Sequence, residues 1–120
     1  MKFDEAVSKV KEELAKENFG VIFEEPVNQR FKEKLNVDFE NYLILGVCNP
    51  HFAYKVLRVE KDIGLFLPCN IIIYEDSGTV FVSAILPTKI MEMVKNSALK
   101  EISEEVEEKL KKVIDGLKNN

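Results

Sequence analysis

The chain has 120 residues, of which 46% are hydrophobic, and a net charge of −4 with a single histidine. That length makes one domain over residues 1–120, able to bury a core yet near the size at which a second copy becomes useful for hiding apolar surface. A mildly acidic balance without a basic stripe argues against nucleic acid as a partner. No apolar run approaches the roughly 18 residues of a spanning helix, so no membrane is expected and the default location is cytoplasmic.

From Phe3 to about Glu17 the apolar residues Phe3, Val7, Val10 and Leu14 recur every three or four positions, which predicts a helix closed by Gly20. Val21-Ile22-Phe23 predicts a first strand ending at Pro26. Asn28 is placed to cap a short second helix through Leu35, with Val27, Phe31 and Leu35 at intervals of four. After a loop over Asn36-Val37-Asp38-Phe39, Tyr42–Val47 is a continuous apolar run and reads as a central strand. Asn49 and Pro50 are a cap and a first helical residue, opening a third helix to about Val59. The apolar stretch from Asp62 to Pro68 reads as a buried connector. Asn70–Glu75 and Thr79–Ile85 flank Asp76-Ser77-Gly78, a strong hairpin signal. Pro87 opens a helical stretch to about Val94. Leu99, Ile102, Val106, Leu110, Val113 and Leu117 trace a final helix over about 97–118, with Glu105–Lys109 and Glu108–Lys112 as supporting pairs.

The sum is an α+β, two-layer domain: a four-stranded, mainly antiparallel sheet with helices, in the order α-β-α-β-α-β-β-α. Two cysteine motifs, Cys48-Asn49-Pro50 and Pro68-Cys69-Asn70, stand 21 positions apart as near mirror images. With Tyr42–Val47 before the first, Asp62–Leu67 before the second, and Ile73-Tyr-Glu-Asp and Val82-Ser-Ala-Ile after it, the chain from about 20 to 91 resembles the domain of unknown function 302 family. The resemblance implies a compact two-layer fold with an antiparallel sheet and a tendency to dimerise. It implies no activity.

The two motifs define the candidate site: Cys48, Asn49, Cys69 and Asn70. Cys48 ends a strand before a helix N-terminus, a position that favours thiolate. Cys69 begins the next strand. Antiparallel neighbours would let the thiols approach, whereas parallel strands would hold them on the order of 17 Å apart; the resemblance favours the antiparallel arrangement. Three uses compete. One is a ligand- or metal-binding or sensing module, with Cys48, Cys69 and His51 as the set for a soft metal or haem iron. Another is a thiol redox enzyme or sulfur carrier, with Cys48 attacking and Cys69 resolving. The last is purely architectural: caps and small buried thiols. Whether there is a cofactor, and which, is left open.

Weaker candidates are Tyr54, four residues before Arg58 on the third helix, and Glu75, which beside Asp76 reads as turn chemistry rather than an acid–base pair. No phosphate-binding glycine pattern or nucleophile elbow is present. The apolar content predicts a homodimer that buries sheet residues such as Ile72, Tyr74 and Phe81, or the adjoining stripe of the last helix.

Overall fold

A computed structural model describes residues 1–118. The elements are α1 (Phe3–Lys16), β1 (Gly20–Pro26), α2 (Val27–Leu35), β2 (Tyr42–Cys48), α3 (Pro50–Val59), β3 (Cys69–Asp76), β4 (Thr79–Ala84), α4 (Pro87–Met91) and α5 (Lys100–Leu117). The strands form one sheet in the order β1-β2-β3-β4, and every neighbour is antiparallel. The α+β architecture read from the sequence is thus the observed one.

Strand alternation divides the sheet into two unlike faces. On the inner face Leu43, Leu45, Val47, Ile71 and Ile73 are buried under Ala6, Val10 and Leu14 of α1 and Val106, Leu110 and Val113 of α5. Each such aliphatic side chain contributes on the order of 1.5–3 kcal/mol relative to exposure. A second, smaller cluster of Val56, Ile63 and Leu99 lies under α3, with Leu67 and Met91 against it. On the outer face Tyr42 stands opposite Tyr74, Ile44 opposite Ile72, and Tyr74 opposite Phe81. The rings of Phe31, Phe39, Tyr42, Tyr74 and Phe81 follow one another at centroid separations of 5.2, 6.5, 5.4 and 5.3 Å.

Local chemistry departs from expectation in several places. Asn18, not Gly20, closes α1: its φ is +63°, and the Asn18 and Phe19 amides donate to Ala15 and Leu14 carbonyls at 3.1 and 3.0 Å. This is a Schellman closure, with Phe19 and Leu14 packing as its apolar pair. Asn28 does not cap α2, where Pro26 holds the cap position; instead its Oδ1 accepts from the Tyr42 amide at 3.2 Å. The segment before Cys69 is not a buried connector. Lys61–Phe66 form a 3-10 turn in which Ile63 is buried but Leu65 is 83% exposed. Six residues suffice to bury one anchor, not a run.

The helix begun at Pro87 ends at Met91 rather than Val94. Lys109 reaches across to Glu17 at 3.8 Å instead of pairing along its own helix. The hairpin turn forms as expected, with Ser77 and Gly78 both at positive φ (+52° and +84°), the backbone a two-residue hairpin requires. Among the described residues no helix is long and apolar enough to cross a membrane.

Candidate functional site

The register of β2 and β3 decides what the two cysteines share. Val47 stands opposite Cys69, so Cys48, one residue on, has its backbone within about 6 Å of Cys69. Successive strand residues face opposite ways. Cys69 turns inward and packs on the main core, while the pleat turns Cys48 from that face. A disulfide needs converging Cβ vectors, and both thiols are free. The antiparallel arrangement therefore brings the backbones together without joining the sulfurs.

Both residues border one small pocket of about 50 Å³, with Phe19, Val47, Asn49, Phe52, Ala53, Val56, Leu67, Pro87, Ser103 and Val106. It lies on the seam where the main core meets the smaller cluster, since Phe52 and Val106 belong to the first and Val56 to the second. Sequence reasoning found the cysteines and Asn49 but not the α5 and α4 contributions. Those arrive from 18 or more positions beyond Cys69 and carry no motif; only the helical spacing of Val106 marked it as core.

Asn49 is buried and performs the cap assigned to it: Oδ1 accepts from the His51 amide at 3.2 Å, and Nδ2 donates to the Glu17 carbonyl at 3.4 Å. That cap weakens the case for a thiolate at Cys48. Pro50 brings no amide hydrogen, and the Ala53 amide is taken by the Asn49 carbonyl at 2.9 Å, so the helix end has little left to offer an anion. Burial pushes the Cys48 thiol up instead. At Cys69, burial first and the nearby Cys48 second push the value up to about 11. Both thiols are neutral at physiological pH.

The remaining sequence candidates are dispersed. Asn70 is opposite Gly46 on the outer face and is exposed. His51 is exposed, and among the described residues no group of three or more His, Cys, Asp or Glu is placed to hold a metal. Tyr54 is 65% exposed and lies under Arg58, whose guanidinium carbon is 5.4 Å from the ring centre. Glu75 accepts from Asn41 Nδ2 at 2.6 Å and sits at the far end of β3, about 20 Å along the strand from Cys69.

A paired-motif α+β domain of this topology has known counterparts. The family model described as "Domain of unknown function DUF302" matches residues 1–117, and the chain belongs to that family. The match takes in α1 and α5 as well as the region between the motifs. The chain is similar to an uncharacterised conserved DUF302 protein from Bacillus stearothermophilus, whose crystal structure aligns with a TM-score of 0.91 at 34% identity, over 97% of this chain and 91% of that one. No curated protein matches it.

Proposed function

We propose that this protein is a small homodimeric binding or sensing module without catalytic chemistry of its own, whose ligand site is the pocket at Cys48 and Cys69. The observation that carries this reading is the pocket itself: an apolar recess bordered by both motifs, at a seam between two cores, with no acid–base pair or activated nucleophile on its wall. Asn49 holds the pocket's shape by tying the start of α3 to the end of α1, and Asn70 is a rim residue at most. Free thiols suit a reducing compartment, in keeping with a cytoplasmic location. A thiol enzyme using Cys48 and Cys69 has less support, because both thiols are held neutral and are not bonded to each other. A soft-metal centre lacks a third ligand, since His51 stands in solvent.

The dimer has its own support. α2 has no buried residue, leaving Leu35 66% and Phe39 54% exposed beside the half-open aromatic face. The sheet's footprint is roughly 19 by 23 Å. With α2 added, this is of the order of the ~800 Å² per partner that a standard interface covers. Two cations of α2 are paired within the chain: Arg30 Nε is 2.6 Å from Glu25 Oε1 and Lys32 Nζ is 3.1 Å from Asp38. A second copy facing the first would set its aromatic row against the same row, with the polar residues Asn70, Asp76 and Ser83 toward the margins.

Native protein, dialysed and then examined by elemental analysis, visible spectrum and a thermal-shift panel, tests the site. A bound species or a shift that is lost on filling the pocket supports it. Clean protein that responds to no metal or small molecule sinks it.

A further inference from the structure

The pocket's size and polarity together restrict what enters it. About 50 Å³ exceeds the roughly 10–15 Å³ that admits a water, but a buried water also needs two to four polar partners. The polar side chains here are turned to other tasks. Asn49 Oδ1 accepts from His51 and its Nδ2 donates to Glu17, while Ser103 Oγ donates to the Lys100 carbonyl at 2.9 Å. The wall is otherwise made by Phe19, Val47, Phe52, Val56 and Val106, with the sulfur of Cys69 as a soft, polarisable contact.

From this geometry we infer that the ligand class of the site is a small, uncharged, apolar molecule, or the uncharged apolar tip of a longer one, rather than an anion, a metal ion or a sugar. The inference rests on the ligand-site reading above and narrows it. A charged ligand would leave water for a wall with no opposite charge and no spare strong donor, a transfer that burial makes costly. An apolar ligand gives up no hydrogen bonds and gains contact with atoms that otherwise line a void. The volume is about a third of the ~150 Å³ dry cavity that admits benzene, so only a few heavy atoms fit. Half-buried Leu67 is the part of the lining nearest to solvent-facing chain, an apolar edge past which the narrow end of a longer molecule can enter. The neutral state of both thiols at physiological pH agrees with this.

Xenon is the direct probe. Crystals of the full chain are pressurised with the gas and compared with crystals soaked in sulfate and acetate. The expected result is one xenon between Phe52, Val106 and Cys69, with neither anion there. Ala53→Leu at the rim, or Val106→Phe in the wall, should abolish the xenon peak while circular dichroism stays native; two variants guard against one failing to fold. An anion or an ordered water cluster in the pocket, with xenon excluded, overturns the apolar class but leaves a ligand site at the cysteines. A pocket that takes none of the probes, with no thermal shift from any ligand, removes the site reading as well. Xenon that persists at full occupancy in both filled variants binds elsewhere and refutes the assignment.

Discussion

The ring of Phe23 occupies the space where a side chain on Gly46 would stand. The two are register partners on β1 and β2, and a Cβ built at Gly46 would overlap three atoms of the ring. A glycine in the middle of a central strand is otherwise a weakness, and here an aromatic neighbour fills the gap it leaves. Gly46→Ala should therefore push Phe23 off the outer face and destabilise the chain by about 1–3 kcal/mol. In denaturant unfolding, Phe23→Ala in the Gly46→Ala background should cost much less than Phe23→Ala alone. Additive effects of the two changes would show that they do not touch.

The open face makes a prediction about assembly. Light scattering at micromolar concentration should give a two-chain mass that survives dilution. Phe81, 42% exposed at the end of the aromatic row, can be changed without emptying the core. Phe81→Glu should weaken the dimer at least tenfold, about 1.4 kcal/mol, with the helical circular dichroism signal intact. A one-chain mass for the unaltered protein ends the dimer reading outright.

What the sequence disclosed follows the range of the forces involved. Periodicity located the long helices, because Val10, Leu14, Leu110 and Val113 must face one core, while short apolar runs and the hairpin turn located the strands, whose Ile71 and Ile73 face that core from the sheet. The Ser77-Gly78 turn and the Asn49 cap were legible too, being written within three or four residues. Hydrogen bonds that span the fold were not: Asn28 looks like a cap until β2 supplies the Tyr42 amide 14 positions away. The thiols show the same limit. A helix N-terminus seen in sequence suggests thiolate, but the burial that overrules it comes from α3, α4 and α5 packing around the strand end. Pleat direction, fixed by the Val47–Cys69 pairing, was beyond a reading that could ask only whether the strands were parallel.

Cys69 predicts an alkaline weakness. Its folded value of about 11 lies above the ordinary value of 9.0, so between these limits the folded thiol keeps a proton that the unfolded one releases. The stabilisation is complete below pH 9 and is lost as pH rises toward 11. The expected loss is on the order of 2 kcal/mol. Cys69→Ala should flatten this limb of the stability curve while costing some packing at every pH. Iodoacetamide labelling of Cys69 should show the same high midpoint; a midpoint near 8.5 would mean the thiol is solvated.

Glu13 makes the opposite prediction on the acid side. It is a buried carboxylate with Lys16 Nζ at 3.0 Å and Lys9 Nζ at 3.3 Å. The Lys16 hydrogen bond foremost, with help from Lys9 and against the effect of burial, holds it below the ordinary 4.5. Its contribution is present above that value and fades as pH falls through the lowered one. Gly116 of α5 leaves the room: a Cβ there would overlap the Glu13 carboxylate. Gly116→Ala gains helix propensity of about 1 kcal/mol but should drive the carboxylate out toward water. The two effects separate by pH. Near neutrality Gly116→Ala should be close to the unaltered protein in stability, whereas the loss as pH falls through 4.5 and below should shrink, as it should in Glu13→Gln. Unfolding midpoints measured across that range decide the matter, and an acid limb unchanged in both variants would show that Glu13 does not report on folding.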